Sequence, residues 1–159
     1  MTKAVQDLMV EVERVHDAFH AAVHDHGDVE EAVALLDPAC RLVVVPAGVE
    51  AVGVDAIRRH LADDVLTHLP ADLTVTRILR TGSRFAVVEE STMAFTHDRE
   101  LPWLPGVAPT GRRGEVLVVS SVGVRKSRIT HHRTLVDHVG LCRSLGLPAD
   151  AGTAPLVEH

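Results

Sequence analysis

Residues 115–145 read EVLVVSSVGVRKSRITHHRTLVDHVGLCRSL, and this stretch decides the fold. Glu115 to Val124 and Arg128 to Val136 are dominated by β-branched residues, and the short turn around Arg125 to Ser127 predicts two consecutive strands. Asp137 begins a helical turn through Leu145, which Gly146 ends and Pro148 keeps from resuming. Moving toward the N-terminus, the Pro/Gly-punctuated segment Leu101 to Gly111 reads as a loop. Before it, Leu73 to Arg80 and Arg84 to His97 read as strands separated by Thr81, Gly82 and Ser83, a hairpin-length turn.

The first half has a different period. Val5, Leu8, Val12, Val15, Phe19 and Val23 recur at three- and four-residue spacing between Ala4 and His26, a stretch without Gly or Pro, which predicts an amphipathic helix of about six turns. Asp28 with Glu31 three residues on has the form of a capping box for a short second helix closed by Pro38. Arg41 to Val45 reads as a strand. Val54, Ile57, Leu61, Val65 and Leu69 predict a third helix stopped by Pro70. Helices first and strands after them predict an α+β fold, with the long helix burying its stripe against a curved, mostly antiparallel sheet. Such a sheet wraps the helix as a cone-shaped α+β barrel, and a ligand would sit inside. One domain is expected over residues 1–150, with a C-terminal tail over 151–159.

Composition narrows the function. The chain has 159 residues, and its formal charge of −6 lacks the basic footprint that nucleic-acid binding requires. Aromatic content of 3% leaves no base-stacking platform. Nothing resembles a secretory leader or a disulfide framework, and no apolar run approaches the ~18 residues of a membrane span. A cytoplasmic protein is therefore expected, with Cys40 and Cys142 as small buried groups. The absence of tyrosine excludes a phenol as oxyanion donor or general acid, whereas 11 histidines offer groups that titrate near neutrality.

Several of these groups suit chemistry. Asp137, flanked by Leu135, Val136, Val139 and Leu141, is either a carboxyl whose pKa is raised for acid–base work or the N-cap of the last helix. His131 and His132 point to opposite faces of their strand; regular alternation without a bulge puts His131 on the side of Asp137. Glu89 and Glu90 also face opposite ways, Glu89 with Phe85, Val87, Met93 and Phe95, and Glu90 with Ala86, Val88, Thr92 and Ala94. The inward one must be paired or protonated. His16, His20 and His24 drift by about 40° per four-residue step. His16 therefore lies beside the apolar stripe, His20 at its edge and His24 toward solvent. They name no closed ligand set, so no metal site is expected. His97 ends a strand, and Trp103 in the following loop either covers the cone or anchors the loop to its own sheet.

The order of elements resembles the nuclear transport factor two-like fold, and two motifs narrow the resemblance to its SnoaL-like, polyketide cyclase-like group. One is Phe95-Thr96-His97-Asp98-Arg99-Glu100 continuing into Trp103-Leu104-Pro105-Gly106 and on to Arg112; the other is Asp137, Gly140 and Leu145-Gly146. The first is similar to a subgroup found beside dienelactone hydrolase domains, which implies a functional link to a hydrolase. Alternation makes His131 the partner of Asp137, and the resemblance implies Asp137 as the acid/base residue and Glu90 as the retained acid. His97, Trp103, His16 and His20 would bind substrate. It implies cofactor-independent proton transfer on a small, apolar, carbonyl-containing ligand, of the cyclase or isomerase type. The alternatives are a non-catalytic ligand-binding or partner-docking domain, or an epoxide hydrolase or hydratase whose two carboxylates bracket a water. A homodimer through the sheet is also implied, in keeping with a mean hydropathy of +0.14.

Overall fold

Thr2 caps the first helix, α1 (Lys3–Ala21), by accepting the Val5 N–H, and α1 turns Val12, Val15, His16 and Phe19 into the core. The computed structural model describes residues 1–153. The helix continues as a π-helical turn over Ala22–His26 that ends at Gly27, whose positive φ of 61° suits a residue without Cβ. Asp28 then caps α2 (Val29–Val33) by accepting the Glu31 N–H at 3.0 Å, so the first half of the expected capping box forms.

Strand β1 (Leu36–Val45) begins five residues before the expected start at Arg41 and carries Pro38 within it. Its pairing with β6 shifts register between Leu36 and Arg41, where the proline interrupts the ladder. A short strand not expected from the sequence, β2 (Val49–Val52), folds back on β1. The expected third helix forms as α3 (Val54–Arg59), a π-helical segment (His60–Val65) and a single 3₁₀ turn (Leu66–His68). Then come β3 (Thr74–Gly82), β4 (Ala86–Thr96), β5 (Arg113–Arg125), β6 (Arg128–Val136) and α4 (His138–Ser144).

Among the described residues six strands form one sheet in the order β2-β1-β6-β5-β4-β3, antiparallel except for the parallel pair β1 and β6. The fold is thus the expected mixed α+β arrangement, a long N-terminal helix with a curled, mostly antiparallel sheet. Two apolar clusters fill it. One joins α1, α2 and α3 to the inner face around Leu42, Val87, Val122 and Ile129. The other joins Phe95, Val116 and Val118 to the loop residues Leu101 and Leu104 and to Leu141 and Leu145 of the C-terminal segment. No helix among the described residues is long and apolar enough to cross a membrane. Of the expected tail, Ala151–Thr153 is described and 154–159 lies outside the described residues.

Candidate functional site

A cavity of about 110 Å³ opens at the seam between the two apolar clusters. Its walls include Phe19 and Val23 from the first cluster and Met93, Trp103 and Val118 from the second. The sheet supplies a row of polar groups, because Glu89, Ser120 and Thr134 are cross-strand partners on β4, β5 and β6. Ser91 and His132 flank that row on the same face. Glu89, Ser91, Ser120 and His132 are each at most 8% exposed. From α1 and its π-helical extension come His20 and His24.

Two imidazoles meet here. His20 Nε2 lies 3.2 Å from His132 Nε2, a distance at which one nitrogen donates and the other accepts. His132 Nδ1 sits 3.4 Å from Thr134 Oγ1. Burial pushes His132 down to about 3, with His16, His24 and His131 adding positive-charge repulsion. Burial likewise holds His20 well below the ordinary histidine range, and its neighbour His132 adds to the effect. The pair is neutral at physiological pH.

Glu89 is fixed from the other side. Its Oε2 accepts from Arg77 Nε at 2.7 Å, Arg80 Nε at 2.9 Å and Arg80 Nη2 at 2.7 Å, while Ser91 Oγ donates to Oε1 at 3.2 Å. Arg77 and Arg80 are three residues apart and in a regular strand would face opposite ways. An irregularity at Ile78 brings both to the inner face. Asp17 binds the same two arginines and meets His16 Nδ1 at 3.1 Å. Burial raises the Glu89 carboxyl, but Arg80 and Arg77 outweigh it and leave the carboxyl lowered overall. It stays ionised, and among the described residues it is the one carboxylate lining the cavity.

The expected site residues are distributed differently from the sequence reading. Glu90 faces outward opposite Val119 and Leu79, and the inward acid is Glu89. His131 also faces outward. The β5–β6 register shifts between Gly123 and Val124, so Thr130 is the extra residue, and both Ile129 and His132 point inward. The His131 ring lies over Gly123, where a Cβ would collide with it. Asp137 stands outside the cavity, exposed, with Oδ1 accepting the Gly140 N–H at 2.9 Å as the cap of α4.

His97 is fully buried but lies away from the cavity. Its Nδ1 accepts the Thr110 N–H at 3.3 Å, and its backbone bonds to Arg112 and Gly111 close the intervening loop. Trp103 does line the cavity, 5.7 Å from the Phe95 ring, on a loop pinned by the buried Leu101 and Leu104. His20 lines it as expected. His16 is buried beneath, stacked 4.2 Å from His20. His24, expected in solvent, lines the cavity because the π-helical turn rotates it less per residue than an α-helix would. The sequence raised His132 and Glu89 only as alternatives to the selected His131 and Glu90, and it did not raise Ser91 or Ser120. The signal for Glu89 was present, since it shares its face with Val87, Met93 and Phe95.

Comparison with solved structures gives the same architecture. A protein of Jannaschia sp. CCS1 assigned to the SnoaL-like polyketide cyclases superposes with a TM-score of 0.71 at 18% identity, over 93% of this chain and 97% of that one. IdmH of Streptomyces antibioticus, assigned as a polyketide cyclase, gives 0.68 at 22% identity over 85% and 98%. An epoxide hydrolase of M. tuberculosis gives 0.64 at 18% over 86% and 90%. At such identities the likeness is one of fold. Among curated proteins, elongation factor Ts of Caulobacter sp. (strain K31) is 27% identical over 113 residues, 67% of this chain. The chain spans about a third, 34%, of that relative's length. The family model for SnoaL-like polyketide cyclases matches residues 13–145, and with the nuclear transport factor two-like architecture around it, the chain belongs to the SnoaL-like polyketide cyclase family.

Proposed function

We propose that the cavity binds a small, largely apolar carbonyl compound and moves a proton on it through His20 and His132, as a cyclase or isomerase does. The observation that carries this reading is the 3.2 Å contact between the two Nε2 atoms in a largely apolar cavity. A pair that shares one proton is at once a donor and an acceptor. The unprotonated Nε2 takes a proton from the carbon next to the carbonyl and becomes imidazolium, while the other Nε2–H holds the enolate oxygen. Returning that proton at a second carbon, or after a carbon–carbon bond has formed, restores the neutral pair. Glu89 takes no proton in this scheme, because its ion pair with Arg80 keeps it a charged scaffold. Water addition with paired carboxylates has less support, since Glu90 and Asp137 both lie outside the cavity.

The outward face of the sheet exposes Leu79, Val88 and Leu135 at 59%, 38% and 43%, and we infer that a second copy of the chain covers it. Sedimentation at micromolar concentration is expected to give a dimer. The activity is tested by incubating enolisable ketones with the protein in D₂O and following loss of the α-proton by NMR. The exchange is expected to fall by about 10²-fold or more in His132→Gln. A ligand that binds but exchanges no faster than in buffer would make the cavity a binding site without catalysis.

A further inference from the structure

We propose that the inner end of the cavity is a binding site for one divalent transition-metal ion, held by His16, His20 and Glu89. His16 and His20 lie one turn apart on α1, and Glu89 reaches them from β4. Each brings one ligand-type atom to within 4.8 Å of the other two. Two histidines and one carboxylate on one side of a cavity form a facial set with open positions toward the space beside it.

The surroundings of each ligand support this use. His16 is 1% exposed, and its Nδ1 faces the Asp17 carboxylate at 3.1 Å. Arg80 Nη2 also lies 3.3 Å from Nδ1, but that guanidinium is already bound to Asp17 and Glu89. With Nδ1–H donated to Asp17, Nε2 carries the lone pair, and it is buried without a hydrogen-bond partner among the described residues. A carboxylate on one ring nitrogen and a free lone pair on the other is the arrangement that orients metal-bound histidines.

Glu89 is similarly divided. The guanidinium contacts fall on Oε2, and Oε1 has only the Ser91 hydroxyl, leaving it able to coordinate. His132 Nε2, 3.2 Å from His20 Nε2, stands ready as a fourth ligand, with an ion taking the place of the shared proton. The carboxylates of Asp17 and Glu89 balance Arg77 and Arg80, so the ion meets mainly imidazole. That donor set suits zinc, cobalt, nickel, copper or iron rather than magnesium or calcium. The His16 and His20 rings are stacked with an interplanar angle of 21°, so closing on an ion at about 2.0–2.1 Å from each nitrogen requires the two rings to turn out of the stack until their in-plane lone pairs converge. An ion on His20 takes the place of the proton shared with His132, so the metal-bound and proton-transferring forms exclude one another; uptake of an ion is read directly without any turnover, so each is tested apart from the other.

The test is calorimetric titration of chelator-stripped protein with Zn²⁺ and with Co²⁺, the latter also followed by visible absorption. One ion per chain is expected. His16→Gln and Glu89→Gln are each expected to weaken binding by about tenfold or more. His26→Gln, which removes the exposed pair of His26 with Glu31, is expected to leave affinity within about twofold. Circular dichroism checks that each stripped variant is folded, and His20→Gln reads the same prediction if His16→Gln is not. No uptake at millimolar ion overturns the proposal. So does uptake that folded His16→Gln and Glu89→Gln both retain, whatever His26→Gln does.

Discussion

Arg80→Leu is expected to destabilise the protein by about 2–3 kcal/mol. Arg80 and Glu89 are 13% and 8% exposed, so each charge is largely removed from water and depends on the other. Losing one partner of a fully buried pair costs about 3–5 kcal/mol, because the remaining charge is stranded. The figure is smaller here because Arg77, itself 49% exposed, keeps one of the three guanidinium contacts on Oε2. For a chain of this length, about 2–3 kcal/mol lowers the melting temperature by roughly 5–10 °C. Urea unfolding followed by circular dichroism gives the free energy directly. Glu89→Leu combined with Arg80→Leu removes both charges and is expected to recover half or more of the loss. An Arg80→Leu loss under about 0.5 kcal/mol, or a double variant less stable than the two single losses combined, would show that the two buried charges do not depend on each other.

Three further outcomes follow from particular contacts. Asp137→Ala removes the α4 cap and is expected to cost about 1 kcal/mol in urea unfolding. Ligand affinity in the cavity should be unchanged by it. Gly123→Ala pushes a methyl into the His131 ring and is expected to cost about 1–3 kcal/mol, which His131→Ala in the same chain should relieve. Burial pushes the Cys40 thiol up to about 11, and at pH 8, well below that value, it stays protonated and poorly nucleophilic. Iodoacetamide at pH 8 is therefore expected to spare Cys40 in the native protein and label it after denaturation, with peptide mass spectrometry as the readout.

Periodicity made the frame legible. The stripe from Val12 to Phe19, the Asp28 cap and the alternation along β4 each depend on neighbours close in sequence, and each forms where the pattern puts it. Facing was harder to read where a single residue changed the count. Thr130 adds one residue to β6 and exchanges His131 for His132; the irregularity at Ile78 turns Arg77 and Arg80 to the same side. No Gly or Pro marks the irregularity at Ile78, and the one at Thr130 is marked only on the partner strand, by Gly123. His24 entered the cavity through a π-helical turn that leaves no hydrophobic signature of its own. Strand β2 was hidden because four residues after Pro46 and Gly48 look like part of a loop. Glu89 is a different case. Its face was plainly the more apolar one, and the resemblance drew attention to Glu90 instead.

On the proposed mechanism His20 and His132, rather than Asp137, form the working end of the cavity. One measurement compares α-proton exchange from a panel of enolisable ketones by wild type, His132→Gln and Asp137→Asn, with ligand affinity determined for each. Wild-type exchange lowered about 10²-fold or more by His132→Gln and unchanged by Asp137→Asn is the expected result. Exchange that survives His132→Gln and is lost in a folded Asp137→Asn would contradict it.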